Sequence, residues 1–556
     1  MRSERVYLLL ISGELADAKQ FIATHYPGRE CLVLSKRELR EVGWRGQIKA
    51  FRKIEGEAIV FFRRSLSEVQ EPQLVGWSSV LHRCRVTILA DASGCVRKYD
   101  RWRLFLGLPM AVVSGLSDLF VFVAAWFCVR VFKGKASRAL FDGQQDFNLH
   151  LAYLYPYPLD TSLAGGQLSH VNGFLGGAAQ SGASCEIFSG RSLRVENFAA
   201  HLIPAKRRFF LFQESRMLSY NLRFAARVKK LLRGRRVGAF YQRHGRFVVA
   251  GAVLSKWLGI PLILEYNGAE MWMADHWDPA RFRGLLRLCE ETSLSRASLI
   301  VVVSEPLKQD LLGRGIAEER ILLNPNAVDP AVFRPGRGRD EVRSQIGLAA
   351  SDIVVGFLGT FNYWHGIKVL EQAIQQLLRD EGTDDVLSKL RFLLLGEGLL
   401  RAEMKSNLEP YVGSKVFFTG LIPHANVPDY LDAADILVSP HIRMPDGQPF
   451  FGSPTKIFEY MAMAKGIVAS NLDQLSQVLK HERSAWLVEP GNVSELASAI
   501  VLLARNPALR NQLGRNARAA ALAEHTWRQN AERVLARVRR PVAGEVAPNA
   551  TGAKAV

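Results

Sequence analysis

The sequence is poor in cysteine and lacks the common signatures of metal and nucleoside-triphosphate sites. Its six cysteines include no Cys-x-x-Cys pair, which argues against a structural zinc site and a disulfide framework and favours a reducing cytoplasm. Neither a P-loop, Gly-x-x-x-x-Gly-Lys-Ser/Thr, nor a Gly-x-Ser-x-Gly elbow occurs, so P-loop and α/β-hydrolase chemistry are excluded. No Asp-x-Asp pair is present that could hold a metal ion on a diphosphate. We therefore expect no metal and no cofactor.

A secretion signal is not expected either, because the N-terminal apolar run Val6 to Ile11 is too short for a signal-peptide core. Leu104 to Phe132 is different, since its 29 residues carry only the charges of Asp118 and Arg130 and are long enough to engage a bilayer. Positive residues flank both ends, and Gly115 to Asp118 interrupt the middle. This pattern favours a hairpin that dips into the membrane and returns to the cytoplasmic side. A single tilted span and a buried helical hairpin are the alternatives.

Charge is unbalanced in favour of lysine and arginine. They number 72 against 53 acidic residues, a net charge of +19, and the excess is concentrated between Arg191 and Arg246. Such a density suits an anionic membrane surface or anionic substrates. Nucleic acid is not expected as a partner, because no zinc-finger spacing or RNA-recognition signature accompanies the charge.

The chain length of 556 residues suggests roughly three domains. Short apolar runs alternate with polar stretches over residues 1–100 and predict a small α/β domain of unknown role. Larger alternating blocks follow on either side of a linker at Arg334 to Arg339. Two such blocks predict two Rossmann-like domains that face a cleft. After the first domain, the expected segments are a membrane-associated stretch over 101–138, the two large domains over 147–337 and 340–540, and a disordered tail over 541–556.

The stretch Gly452 to Ala469 predicts a short helix followed by a buried parallel strand. Ser453 suits the N-cap and Pro454 the first helical position. A helix N-terminus carries free N–H groups and partial positive charge, so a diphosphate could bind there.

Lys456 and Glu459 share one face of this predicted helix, three residues apart. The diphosphate would then contact Thr455 and Lys456, while Glu459 would meet sugar hydroxyls deeper in the cleft, those of a ribose in our interpretation. An ordinary capped helix with a solvated lysine and glutamate is the alternative.

Three glycine-containing loops in the second block follow predicted buried strands. They are Gly359 after Ile353 to Leu358, the Gly-Glu-Gly loop at Gly396 to Gly398, and Gly420 to His424 after Val416 to Thr419. Glycine lets the backbone approach an anion at the carboxyl ends of parallel strands. These three loops and the Lys456 helix are therefore expected to face one crevice.

In the first block, Gly165 and Gly166 precede a predicted helix and could admit a sugar or phosphate, or could serve only to reverse the chain. Glu270 follows the predicted strand Ile260 to Leu264 and is the candidate acceptor-side carboxylate, although a loop glutamate is more often solvated. Lone histidines such as His244 are more often structural than functional.

These stretches together resemble the GT-B glycosyltransferases of retaining family 4, over about residues 147–540. The most specific are GSPTKIFEYMA at Gly452 to Ala462 and NPNAVDPAVF at Asn324 to Phe333, with the GEG and GLIPH loops. The resemblance implies two Rossmann-like domains, with a sugar nucleotide bound mainly by the C-terminal domain. It also implies a closing final helix, which matches Thr526 to Val538.

The glutamate that holds the nucleotide ribose in this family falls on Glu459, but its acidic partner eight positions earlier falls on Phe451. The arginine and lysine that usually grip the diphosphate fall on Thr360 and His365, which makes Lys456 the natural replacement cation.

Two positions of the acceptor-side domain also depart from the family pattern. Asn267 stands where many members carry a histidine near the acceptor, and Asn326-Ala327 replaces the usual asparagine-glycine.

The resemblance implies a retaining glycosyltransferase of hexosyltransferase type. The apolar segment and the basic interval add the expectation that it is membrane-associated, on the cytoplasmic side of the inner membrane. It would move a sugar from a nucleotide diphosphate to a lipid-linked or glycan acceptor in cell-surface polysaccharide synthesis. A sugar-nucleotide epimerase and a non-catalytic membrane scaffold are the rivals. The candidate catalytic residues are Lys456, Glu270 and Asn267, and the acceptor-side candidates are Gly165, Gly166 and His244. The donor-binding candidates are Gly359, Thr360, His365, Gly396, Glu397, Leu421, Ile422, Gly452, Ser453, Pro454, Thr455, Lys456 and Glu459.

Overall fold

A computed structural model describes most of the chain. The described residues are 4–10, 15–34, 43–63, 78–91, 94–99, 101–134, 150–157, 166–191, 193, 198–205, 212–276, 280–444 and 446–539. The predicted disordered tail over 541–556 and the candidate Gly165 lie outside them. The chain divides into two compact units, the first formed by the described residues up to Cys128 and the described part of 205–220, the second by the remainder.

The first unit contains a small α/β sheet. Its described strands run in the order β2-β1-β3-β4-β5, with all neighbours parallel except the antiparallel pair β4 and β5. Each apolar run of the N-terminal 100 residues forms one of the parallel strands. Successive side chains point to opposite faces of the sheet, and both faces pack against helices, so the whole run is apolar. The elements are β1 Arg5–Leu10, α1 Leu15–His25, β2 Glu30–Leu34, α2 Gly43–Arg52, β3 Ala58–Arg63, β4 Val86–Asp91 and β5 Val96–Tyr99.

The apolar segment is one continuous helix, α3, over Arg101–Phe132. The hairpin expectation is therefore wrong. One glycine inside a helix costs only about 1 kcal/mol, which is less than the cost of opening several backbone hydrogen bonds in apolar surroundings. The helix buries one face, with Asp118, Ala125 and Val129 almost inaccessible. Its other face is apolar and exposed at helical spacing, and comprises Val112, Val113, Leu116, Leu119, Phe120, Val123, Trp126, Phe127 and Val131.

The second unit begins with a parallel sheet whose described strands run in the order β12-β11-β10-β9-β6-β7-β8. The three strands predicted for this block are β6, β10 and β11. The others were not predicted, since they are short and carry polar residues, as in the AFYQR sequence of β9. The elements are β6 His150–Tyr155, α4 Gly166–Gln180, β7 Ser184–Ser189, β8 Ala199–Leu202, α5 Gln213–Leu231, β9 Ala239–Arg243, α6 Ala250–Leu258, β10 Leu262–Tyr266, α7 Glu270–His276, α8 Arg283–Arg296, β11 Leu299–Val302, α9 Glu305–Gly313 and β12 Ile321–Leu323.

A second parallel sheet follows, with the described strands in the order β15-β14-β13-β16-β17-β18. All strands predicted for this block are present. Strands β14 and β15 lie on one side of β13 and strands β16 to β18 on the other, so the strand order reverses at β13. Ligands of such sheets bind at this kind of switch point, outside the carboxyl ends of the strands. The elements are α10 Arg339–Gln345, β13 Ile353–Leu358, α11 Ile367–Arg379, α12 Asp385–Ser388, β14 Leu390–Leu395, α13 Arg401–Asn407, β15 Val416–Gly420, α14 Val427–Ala433, β16 Ile436–Ser439, α15 Thr455–Ala462, β17 Gly466–Ser470, α16 Asp473–Val478, β18 Trp486–Val488, α17 Val493–Arg505 and α18 Pro507–Glu524.

The last helix, α19 over Trp527–Arg539, returns to the first sheet of this unit and packs on α4. The contact is close, because a β-carbon at Gly173 or Gly177 would collide with Trp527. Asn530 Nδ2 also donates to the Pro325 carbonyl at 2.7 Å. The two sheets of the second unit are thus joined twice, by the chain before α10 and by this returning helix.

Candidate active site

A cavity of about 630 Å³ lies at the carboxyl ends of strands from both sheets of the second unit. All thirteen donor-binding candidates line it, together with Asn267. The sequence prediction that three glycine loops and the Lys456 helix face one crevice therefore agrees with the structure. Lining residues that the sequence did not single out are Ser169, His170, Arg243, Met273, Val303, Trp364, Leu395, Val427, His441, Met444 and Phe450.

The start of α15 differs from the predicted cap. Ser453 does not cap the helix, because its Oγ accepts the backbone N–H of Asn326 at 3.2 Å, and the Asn326 side chain donates to the Ser453 carbonyl. Pro454 occupies the N-cap position, with no side-chain hydrogen bond to the first turn. The residues Gly452 to Lys456 line the cavity. The first turn is therefore available to an anion in the cavity.

Lys456 is a buried cation with no carboxylate of the described residues in ion-pair contact. Its Nζ donates to His365 Nδ1 at 2.8 Å and lies 4.6 Å from the ring centroid of Phe357. Burial lowers the pKa of Lys456 to about 7, and Glu459 offsets this only in part. Burial and the charge of Lys456 also hold the pKa values of His365 and His441 well below their usual range. A bound anion would supply the counter-charge that this basic cluster lacks.

Donor binding is expected to weaken as the pH rises through about 7, because Lys456 attracts a diphosphate only while it is protonated. The donor kcat/KM, plotted logarithmically against pH, should fall with a slope of about −1 above that pH. Lys456→Arg keeps its charge at every pH used, so its profile should be flat even if its activity is lower. A flat profile for the wild-type protein would contradict this prediction.

Glu459 lies one helical turn from Lys456 and is almost inaccessible to solvent. Its Oε1 is 3.9 Å from His424 Nε2, which bonds to Ser169 Oγ across the cleft at 2.7 Å. Glu459 raises the pKa of His424. The carboxylate therefore faces the cavity beside a histidine that joins the two halves of the site, where it could accept hydrogen bonds from ligand hydroxyls.

Two glycines set the shape of the wall opposite α15. A β-carbon at Gly359 would lie 3.0 Å from Lys456 Nζ and 3.1 Å from His365 Nδ1. Gly396 has φ +125°, and a β-carbon there would collide with the Gly359 carbonyl. Thr360 Oγ1 and His365 Nε2 are 3.1 Å apart in the same loop. Glycine is required at Gly396 because the two strand-end loops touch each other there, whereas at Gly359 it leaves room for the side chains of Lys456 and His365.

Arg243 brings a second positive charge to the cavity, from the end of β9. Its Nη1 donates to Glu265 Oε1 at 2.7 Å and lies 3.1 Å from His170 Nδ1. Asn267 Nδ2 donates to the same carboxylate oxygen at 2.6 Å, and Tyr241 donates to the other at 2.9 Å.

The charge states of this group follow from its burial and its partners. Burial would raise the pKa of Glu265, but the charge of Arg243 and the hydrogen bonds from Asn267 and Tyr241 lower it overall. Burial lowers the pKa of His170 itself to about 4, so this ring is neutral at pH 7. An ionised Glu265 thus fixes both Arg243 and Asn267 at the cavity wall.

Glu270 and His244 are not among the residues that line the cavity. The Glu270 backbone N–H donates to Glu290 Oε2 at 2.8 Å, and its carboxylate lies 3.6 Å from Arg246 Nε. The His244 ring packs against Tyr266, with 5.0 Å between centroids. Gly166 begins α4 and does not line the cavity either.

Arg243, the residue before His244 in the chain, lines the cavity instead. Successive side chains at a strand end point to opposite faces, so the sequence assignment missed Arg243 by one position.

Phe451 contributes an apolar wall where the family has a carboxylate. Its ring meets Trp272 edge to face at 5.1 Å between centroids, and its carbonyl accepts the Ser304 hydroxyl at 2.7 Å. A β-carbon at Gly268 would approach the Phe451 ring to 2.9 Å. Packing against the opposite half of the cleft therefore explains an aromatic residue at this position.

Two facing Rossmann-like domains, a cleft at their strand ends and a returning C-terminal helix define the GT-B architecture. Residues 164–332 match the family model described as Glycosyltransferase Family 4, and residues 352–506 match the one described as Glycosyl transferases group 1. The chain thus contains the two domains of a GT-B glycosyltransferase.

Individual relatives are distant. The chain is 26% identical over 267 residues to 2-deoxystreptamine glucosyltransferase of Streptomyces kanamyceticus, which covers 47% of this chain and 66% of that protein. It is 24% identical over 253 residues to the putative teichuronic acid biosynthesis glycosyltransferase TuaC of Bacillus subtilis, which covers 45% of this chain and 57% of that protein. The chain therefore spans about six tenths of the length of these curated relatives.

Among solved structures, HepE of Anabaena in complex with UDP and glucose has a TM-score of 0.55 at 16% identity. The alignment covers 70% of this chain and 99% of HepE. This likeness shows the shared fold.

Proposed function

We propose that the protein is a retaining glycosyltransferase that uses a nucleotide-diphosphate sugar as donor. One observation carries the proposal: Lys456 and Arg243, from the two facing domains, line a single cavity with the first turn of α15 and the glycine loops. Buried positive groups and free helix N–H groups stabilise a departing diphosphate. HepE, which shares the fold, was solved in complex with UDP and glucose, and this supports a nucleotide sugar as the donor class.

In the proposed reaction, the acceptor hydroxyl oxygen bonds to the anomeric carbon on the face from which the diphosphate leaves. The bond between the anomeric carbon and the phosphate oxygen breaks, and a phosphate oxygen of the leaving group takes the acceptor proton. Lys456 and the first turn of α15 hold the diphosphate, and Glu459 accepts hydrogen bonds from the ribose. The products are the glycosylated acceptor and a nucleoside diphosphate.

The proposed acceptor is a lipid-linked or glycan molecule of cell-surface polysaccharide synthesis, used on the cytoplasmic side of the inner membrane. Segment Gly115–Phe132 of α3 is long and apolar enough to cross a bilayer by its length and composition. The exposed apolar face of α3 gives this proposal support, as does the name of TuaC, which refers to teichuronic acid. Membrane association would bring the enzyme to its acceptor.

The decisive experiment is a screen of nucleotide-sugar donors with the purified full-length chain and membrane lipid extracts. Transfer of labelled sugar to an extractable lipid or glycan supports the proposal. Conversion of the donor to a second nucleotide sugar without an acceptor would favour an epimerase. Donor binding with neither transfer nor hydrolysis would favour a non-catalytic scaffold.

Activity is expected to persist in excess EDTA. The sequence has no Asp-x-Asp pair to hold a diphosphate-bound metal, and Lys456 with the helix N-terminus would supply the positive charge instead. The measurement is the initial rate of transfer with EDTA, with EDTA plus magnesium, and with EDTA plus manganese. Complete loss in EDTA that either metal restores would contradict the prediction.

A further inference from the structure

A second cavity, of about 490 Å³, lies between the C-terminal end of α5 and α6, away from the donor cavity. Ala226, Lys229, Lys230, Arg233 and Trp257 line it, and we refer to these five residues as the basic groove. Its three cations are exposed. Within the described part of the chain none of them forms an ion pair with a carboxylate. The groove thus offers three positive charges that no carboxylate of the described residues neutralises.

Trp257 connects the basic groove to the end of α3. Lys229 Nζ lies 5.1 Å above the Trp257 ring centroid, and the same ring meets Phe132 edge to face at 5.8 Å. Trp257 is itself 38% exposed. Tryptophan with one apolar face and a neighbouring cation is typical of the boundary between membrane and water.

The last residues of α3 are fixed to the same domain. Lys256 Nζ donates to the Val131 carbonyl at 2.5 Å, and Arg296 Nε donates to the Phe132 carbonyl at 2.7 Å. These cations satisfy carbonyl groups that a helix end leaves without partners. The candidate span Gly115–Phe132 therefore ends directly beside Trp257. Val131, in its last turn, is 61% exposed.

A purely structural explanation covers part of this arrangement. Lys229 and Lys230 occupy the last turn of α5, where cations favour the helix dipole. That explanation does not include Arg233 beyond the helix or an exposed tryptophan between the cations and an apolar helix end. Nucleic acid would use the charge but would gain nothing from an adjoining apolar face. An anionic lipid uses both features.

We propose that the basic groove binds the phosphate headgroup of an anionic membrane phospholipid, with Trp257 and the end of α3 at the bilayer boundary. The proposal rests on the membrane association proposed above and adds the lipid class and its binding residues. Phosphate oxygens would accept hydrogen bonds from Lys230 and Arg233, while Lys229 would stay stacked on Trp257. The headgroup region is the only part of a bilayer that offers such acceptors at the end of an apolar helix.

The test is flotation of the purified full-length chain with vesicles of phosphatidylcholine, alone or with about 30% phosphatidylglycerol, at about 0.1 M salt. Wild-type protein should bind the phosphatidylglycerol vesicles at least tenfold more tightly than the neutral ones. The triple variant Lys229→Gln, Lys230→Gln and Arg233→Gln should lose this preference. Its binding to neutral vesicles, which depends on α3, should be unchanged.

A matched control removes three exposed cations of the C-terminal domain, Lys405→Gln, Lys480→Gln and Arg515→Gln, and should keep the preference. Equal loss of the preference in both triple variants would mean that net charge alone determines lipid binding, and would overturn the proposed site in the basic groove. A wild type that binds both vesicles equally would overturn the lipid site and leave membrane association intact, whereas no binding to either would overturn both. Displacement by millimolar inorganic phosphate would assign the groove to free phosphate instead. Sugar transfer to a soluble acceptor is measured separately, so failure of the proposed enzymatic function can be distinguished from failure of the proposed lipid site.

Discussion

Lys456→Met is expected to lower kcat/KM for the donor by at least about 100-fold, which corresponds to a loss of about 2.7 kcal/mol of transition-state stabilisation. The side chain is almost fully buried, and its Nζ is the cation at the wall formed by Gly359 and His365. Charge that develops on a leaving diphosphate would interact with it in a site that excludes most water. The measurement is steady-state transfer together with the Kd of the nucleoside diphosphate product.

The variant should fold as well as the wild type. Methionine matches the length of the lysine stem, and removal of a charge that burial destabilises costs the folded state little. Lys405→Met, at an exposed position, is the control and should keep full activity. Wild-type turnover in a well-folded Lys456→Met variant would remove Lys456 from the site.

The sequence predicted the C-terminal half of the site well because its determinants are local. Gly359 and Gly396 each follow a continuous apolar strand, and strand ends in a parallel sheet converge on one edge. Lys456 and Glu459 needed only helical spacing to be placed on a common face. Such features are contained in windows of a few residues, so the sequence alone was sufficient.

The features that the sequence missed depend on residues far apart in the chain. Ser453 has the composition of a cap, but its hydroxyl is taken by Asn326, 127 positions away. In α3, Gly115 and Ser117 suggested an interruption, yet the backbone stays helical because one glycine costs a helix only about 1 kcal/mol. Arg243 ends a short polar strand, and its position is set by Glu265 from the neighbouring strand. No local pattern identifies such a pair.

Arg243→Met is expected to lower both stability and activity, since it leaves Glu265 buried without its cation. Removal of one member of a buried ion pair typically costs about 3 to 5 kcal/mol, because the remaining charge lacks compensation. The carboxylate is fully inaccessible, and the hydrogen bonds from Tyr241 and Asn267 cannot supply a positive charge. We expect a clear fall in Tm and at least a tenfold loss of kcat/KM.

The double variant Arg243→Met with Glu265→Gln separates the two effects. Glutamine removes the unpaired charge and keeps one oxygen to accept from Asn267, while its amide nitrogen can donate to the Tyr241 hydroxyl, so most of the lost Tm should return. Activity should stay low, because the cavity still lacks the cation that Arg243 provides. Glu265→Gln alone should keep most of its activity, since Arg243 keeps its charge. If the double variant regains wild-type kcat/KM together with its stability, then Arg243 serves only to neutralise Glu265, and the positive side of the cavity is formed by Lys456 and α15 alone.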